Sequence, residues 1–138
     1  MLECVILVGV PGAGKTSLYR QRFAATHEHV EEKRRIDAAL AGGASIVVDN
    51  TNPRRADRAP IIAAARARGA RVVGYYFDVT TRTAIARNAV RIGKDRVPNV
   101  AIFTVAKRLE PPTLDEGFDE LYRVTIGDDR SLTIDRHA

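Results

Sequence analysis

Gly9, Gly14, Lys15 and Thr16 stand in the spacing Gly, any four residues, Gly-Lys-Thr within the stretch LVGVPGAGKTSLYR. Residues of these types in this order make a phosphate cradle. Backbone N–H groups of a sharply turning loop converge on phosphate oxygens, a lysine reaches the outer phosphates and a hydroxyl ligates Mg²⁺. Gly12 and Gly14 can take positive φ and bring the backbone close to an anion, an approach that a Cβ would hinder. The loop residues Gly9, Pro11, Gly12, Ala13, Gly14 and Ser17 are therefore expected to hold ATP together with Lys15 on the β- and γ-phosphates, while Thr16 takes Mg²⁺.

Such a loop needs a strand before it and a helix after it. Cys4 to Val8 is an almost unbroken apolar run, which predicts a strand covered on both faces, and a helix is expected from about Lys15 to Phe23. The N-terminal partial charge of that helix adds to the attraction for phosphate. Further on, THEHV reads as a short strand, EEKRRIDAALAGG as a helix closed by Gly42 and Gly43, and SIVVDN as a buried strand ending on Asp49. PRRADRAPIIAAARARG is helical with a kink expected at Pro60, and RVVGYYFDV is a strand rich in β-branched and aromatic residues. A third long helix is expected over 80–93, capped by Thr80 or Thr81 and stopped at Gly93. NVAIFTVAKRLE reads as a helix, PPTLDEG as a loop, LYRVTI as a strand and the tail as a hairpin strand at the sheet edge. Strands alternating with helices imply an α/β fold of the P-loop NTPase kind, with a mostly parallel central sheet between helical layers. Ligands of such sheets bind at the carboxyl ends of the strands, which puts the loop and Asp49 along one edge.

At 138 residues the chain has the size of one domain, and its composition of 45% hydrophobic and 28% charged residues excludes a disordered or membrane-spanning class. No apolar run has the length of a membrane span and no signal-peptide pattern opens the chain, so the cytoplasm and the absence of a membrane partner are the expectation. Cys4, the single cysteine, falls in the first strand and reads as a small core residue. A net charge of +5 favours anionic partners such as nucleic acid, although ATP accounts for some of the same arginines. His27 and His29 alternate along the short second strand without the companions that a metal site needs, and Tyr75, Tyr76 and Phe77 are expected to pack in the sheet.

With VVDNTNPRRADR following the P-loop, and RNAVRIGKDRVPNVAIF and RLEPPTLDEGF after it, the chain resembles the kinase domain of polynucleotide 5′-hydroxyl kinases and a set of small bacterial kinase-like ATP-binding proteins. The resemblance implies a helical lid, ATP and Mg²⁺ as cofactors, and transfer of the γ-phosphoryl group to a hydroxyl, by preference the 5′ end of a nucleic acid. Asp49, at a strand end beside the P-loop, fits an acid that holds Mg²⁺ directly or through water. Arg87 and Arg91 are four apart and would share a helix face; the family's lid arginines fall on them, which implies a clamp on the transferring phosphoryl group. Lys94 and Arg96 would join them or meet a substrate phosphate. Arg54, Arg55 and Arg58 flank the Asp49 strand end, and Arg54 and Arg58 are the candidates for holding a nucleic-acid backbone, against a plain solubilising role.

One departure bears on catalysis. Kinases of the family place an Asp after the second strand to take the proton from the acceptor hydroxyl, followed about three residues later by an Arg. Here the corresponding stretch is HVEEKRRID. Either Glu32 replaces that Asp, or the acceptor-binding segment is trimmed, or a loop is absent. Three readings follow: a 5′-hydroxyl kinase of nucleic acids, a kinase of a small-molecule hydroxyl, and an ATP-binding module without transfer activity.

Overall fold

The structure, a computed structural model, describes residues 1–93, 96–127 and 131–137. Its centre is a six-stranded sheet in the order β2-β3-β1-β4-β5-β6. In chain order these strands are β1 Glu3–Val8, β2 Glu28–Val30, β3 Ile46–Val48, β4 Arg71–Phe77, β5 Glu120–Ile126 and β6 Leu132–Arg136. All neighbouring pairs are parallel except β5 with β6, which runs antiparallel, as the hairpin reading of the tail expects. The helices are α1 Lys15–Arg22, α2 Ile36–Ala41, α3 Arg55–Ala67, α4 Thr81–Ala89 and α5 Asn99–Arg108.

Alternation along the central strand explains the layers. Cys4, Ile6 and Val8 face a core shared with α2 and α3, through Ile36, Leu40, Ile61, Ile62 and Ala65. Val5 and Leu7 face the opposite core, built with Leu18 of α1, Ala84 of α4 and Ile102 of α5. Both sides of β1 are thus dry, which is why its sequence is a continuous apolar run and not an alternating one. Tyr75, Tyr76 and Phe77 pack into these two cores, and Cys4 is fully buried.

Three elements differ from their expected limits. The stretch predicted as one helix over 31–43 begins as a 3₁₀ turn at Lys33–Arg35 and becomes α2 only at Ile36. Helix α3 continues through Pro60; Pro60 and Ala56, whose carbonyl the missing N–H cannot serve, are both exposed, leaving that carbonyl to solvent. Helix α4, capped by the Thr80 hydroxyl accepting from the Thr83 N–H, stops at Ala89 and not at Gly93. The cause is tertiary. Asn88 is buried, and its carboxamide accepts from Val97 N–H at 3.0 Å and donates to the Val97 carbonyl at 2.6 Å, drawing the chain back across the helix end. Among the described residues, no helix is long and apolar enough to cross a membrane.

Candidate functional site

The carboxyl ends of β1, β2 and β3 bring the site together. After β1 the chain turns through Gly12 at φ +83° and Gly14 at φ +99°, and Gly14 caps the start of α1. A Cβ on Gly12 would meet the Ala84 carbonyl oxygen at 2.7 Å, so the loop backbone lies directly against α4. Gly9 donates its N–H to the Thr51 carbonyl at 3.0 Å, and buried Asn52, at φ +44°, donates its side-chain amide to Leu7 O. The segment after β3 therefore braces the end of β1.

Lys15 is nearly enclosed, and its ammonium donates to the carbonyls of Gly9 and Val10, each at 2.8 Å. Burial pushes its pKa down to about 8, with Asp49 opposing the fall and Arg91 adding to it. A desolvated ammonium held inside the loop by two carbonyls is a cation whose charge is only partly compensated there, which suits it to phosphate oxygens. Thr16 donates its hydroxyl to Asp49 Oδ2 at 2.8 Å, and the Asp49 carboxylate is 5% exposed. A hydroxyl and a buried carboxylate at that separation are a hard-oxygen pair of the kind Mg²⁺ takes alongside nucleotide phosphates, so Thr16 and Asp49 fit the ion.

His29 was not foreseen here. Its Nε2 lies 2.7 Å from the same Asp49 Oδ2, and its Nδ1 lies 3.9 Å from Glu31 Oε1. His27, one turn of the strand pleat away, pairs instead with Glu3 at 2.8 Å, so the two histidines serve different partners. The parallel register of Val30 with Val48 is what carries His29 to Asp49.

Arg87 donates from Nε to Gly12 O at 2.9 Å, which fixes its guanidinium against the P-loop. Arg91 lies beyond the end of α4, so the expected shared helix face gives way to a helix and the loop after it. Both arginines nevertheless line one cavity of about 660 Å³, with Thr16, Ser17 and Arg20 of α1 on one side, Arg82 on α4, and Ile126 and Gly127 at the end of β5. Lys94 lies outside the described residues.

The arginines beside Asp49 are engaged elsewhere. Arg58, expected to meet a nucleic-acid backbone, is fully buried: it forms a two-pronged pair with Glu116 at 2.8 and 3.0 Å and donates to the carbonyls of Asn52 and Pro53. It ties the loop after β3 to the turn before β5 and has no surface to offer a substrate. Its place was legible, because Arg58 falls in register with Ile61, Ile62 and Ala65 on the buried stripe of α3. Arg54 is paired with Asp57, whose carboxyl it holds below the usual carboxylate range, and Arg55 is paired with Asp115. Glu32 accepts from Arg34 Nε at 2.6 Å on the exposed turn after β2.

Together, the strand order, the loop between β1 and α1, and the acid after β3 define an α/β P-loop NTPase fold. The chain belongs to the AAA domain family, whose family model matches residues 22–112, a span that contains Asp49, Arg87 and Arg91 and begins after the P-loop. Solved structures with a similar fold include a sugar kinase from Janibacter sp. HTCC2649, at 18% identity over 91% of this chain and 86% of that one, with a TM-score of 0.66. Kti12 of Chaetomium thermophilum in complex with ADP-AlF3 is similar at 16% identity over 91% and 90%, with a TM-score of 0.65. A gluconokinase from Sinorhizobium meliloti 1021 is similar at 17% identity over 89% and 82%, with a TM-score of 0.59.

Proposed function

We propose that this protein is an ATP-dependent phosphotransferase that moves a phosphoryl group to a hydroxyl, with the 5′-hydroxyl of a nucleic acid as acceptor. The carrying observation is the Thr16 hydroxyl on the buried Asp49 carboxylate, directly beside Lys15 in its loop. The preference for a nucleic acid rests on the resemblance of the segments around Asp49, Arg87 and the loop before β5 to polynucleotide kinases, and on the positive charge of the chain.

In this reading the loop amides and Lys15 bind the triphosphate, and the cavity beside Thr16 and Ser17 receives the nucleotide. Thr16 and Asp49 would hold Mg²⁺, which neutralises charge on the phosphate oxygens when bound. Arg87, anchored on Gly12, and Arg91 stabilise the charge that spreads over the transferring group. Glu32, on the exposed turn after β2, would take the acceptor proton once its carboxylate is released from Arg34.

The deciding experiment transfers labelled γ-phosphate from ATP to 5′-hydroxyl DNA and RNA strands, with Lys15→Ala protein as the blank. Label that disappears in the variant supports the reading. No label on either strand, with ATP binding intact, overturns it.

A second reading, a small-molecule hydroxyl kinase, is favoured by the internal pairing of Arg54, Arg55 and Arg58, which removes the arginine group nearest Asp49 as a strand-holding surface. A sugar and nucleoside panel in the same assay separates the two.

A further inference from the structure

Strand β6 is an edge of the sheet, paired with β5 on one side only. Its backbone groups divide by alternation. Gly127 donates its N–H to the Ser131 carbonyl at 2.9 Å and His137 donates to the Leu121 carbonyl at 2.8 Å, so Ser131, Thr133, Asp135 and His137 turn their backbone toward β5. Leu132, Ile134 and Arg136 turn theirs away, and their N–H and C=O groups meet no other strand among the described residues. Such a row is a template for one more strand. The usual devices that blunt an edge are missing from β6: LTIDR has no proline and no lysine, its register with β5 runs without a bulge, and its two charges are of opposite sign. The other edge, β2, is only three residues long and starts with Glu28, which is paired with Arg35.

Run antiparallel, β6 is complementary to itself. Full overlap about Ile134 pairs Leu132 with the partner's Arg136, Ile134 with the partner's Ile134 and Thr133 with the partner's Asp135. All three outward-facing residues of each copy are then hydrogen-bonded. The side chains agree with that register. Ile134 is half-buried against the core under α1, α4 and α5, and it would close its remaining apolar surface on the partner's Ile134. Thr133 and Asp135 are exposed on the other side of the sheet, where the threonine hydroxyl would donate to the partner's Asp135 carboxylate. Sliding the copies by two residues leaves one outward-facing residue of each beyond the end of the partner's β6, and in one direction sets Asp135 against the partner's Asp135.

We infer that two copies of the chain join through β6, antiparallel about Ile134, so that their sheets become one. The backbone groups would accept any strand, but the match of Thr133 to Asp135 and the central isoleucine pair select this chain's own. The pairing does not depend on which acceptor the protein uses. It does bear on the nucleotide loop: a Cβ on Gly14 would lie 3.5 Å from Leu132 Cδ2, so the partner's Arg136 backbone would brace the strand residue that packs on the P-loop.

Sedimentation equilibrium of the full chain from about 5 to 500 µM tests this pairing. The expected result is a monomer–dimer equilibrium with a Kd of about 10 to 100 µM, weak because two paired edges bury less area than a standard interface. Thr133→Asp sets an acid against the partner's Asp135 twice per dimer and should weaken association about 10-fold, whereas Thr133→Lys sets a cation there and should tighten it about 5-fold. Thr133 is exposed, so both variants keep the fold. The register is read separately. Thr133→Cys protein mixed with Asp135→Cys protein under mild oxidation should form a disulfide-linked pair faster than either variant alone, and Cys4, being buried, does not compete. A chain that stays monomeric throughout the range overturns the inference. So does association that responds to neither Thr133 variant or to both in the same sense, and so does each cysteine variant linking to itself as fast as to the other.

Discussion

His29 Nε2 lies 2.7 Å from Asp49 Oδ2, the oxygen that also accepts the Thr16 hydroxyl, so one carboxylate oxygen joins the carboxyl ends of β2 and β3 to the first turn of α1. A second partner of this kind orients a metal-binding carboxylate and typically changes metal affinity by about 10- to 100-fold when removed. His29→Ala should accordingly raise the Mn²⁺ concentration needed for half-saturation with nucleotide present by about 10-fold, read by electron paramagnetic resonance, and Asp49→Asn should raise it further. Equal affinity in His29→Ala and parent protein would show that the contact has no part in holding the ion.

Arg87 reaches the P-loop through Nε, which lysine lacks. Arg87→Lys should keep the fold, because the side chain is only half-buried, and lower kcat for transfer by about 100-fold or more, the scale of removing one preorganised donor from a developing charge. Steady-state kinetics check this. A change confined to KM for ATP would assign Arg87 to ground-state binding alone.

Asn88 closes the loop that carries Arg91. Asn88→Ala strips partners from the Val97 N–H and carbonyl and should cost about 1 to 3 kcal/mol in urea unfolding. It should also lower kcat through Arg91, so that Arg91→Ala adds less in the Asn88→Ala background than in the parent.

Arg58 distinguishes a scaffold role from a substrate role. Arg58→Ala leaves Glu116 buried without its cation and should destabilise by about 3 to 5 kcal/mol. Strand affinity, measured at a temperature where the variant remains folded, should match the parent.

Cys4 is fully buried, and burial, with a smaller contribution from Glu3, pushes its thiol up to about 12. Iodoacetamide at pH 8 should leave the native protein unlabelled and modify the denatured chain fully. In linkage terms, the native state keeps the thiol proton between pH 9 and 12 while the unfolded state loses it, so this group's contribution to stability falls as pH rises through that window. Lys15 acts in the opposite sense: the native state binds fewer protons between about 8 and 10.5, so relief of its burial raises stability there. Comparing unfolding of Cys4→Ala with the parent from pH 8 to 11 isolates the cysteine contribution; parallel curves would contradict it.

The strands and the P-loop were legible in the sequence because they follow from local rules: buried parallel strands are apolar runs, and glycine spacing encodes the turn. Asp49 was legible for the same reason, as the acid closing an apolar run beside that loop. The end of α4 was not, since Val90, Arg91 and Ile92 continue a helical pattern that only the contact of Asn88 with Val97 interrupts. His29 on Asp49 depends on the pairing of β2 with β3, which no residue of either strand specifies alone. Arg58 shares its charge with its neighbours Arg54 and Arg55, but its spacing to Ile61, Ile62 and Ala65 puts it on the buried stripe of α3.

The sheet order also bears on how the protein is made. β1, the strand that ends in the P-loop, is flanked by Ile46–Val48 on one side and by Arg71–Phe77 on the other, both much later in the chain. During synthesis one edge of its apolar run therefore waits for Ile46–Val48 and the other for the residues up to Phe77 to leave the ribosome, so β1 is not paired on both sides before then. Long-range parallel pairing of this kind slows folding and leaves a sticky N-terminal segment exposed in the meantime. The nascent chain is thus most exposed to aggregation and to chaperone capture between the emergence of β1 and that of β4.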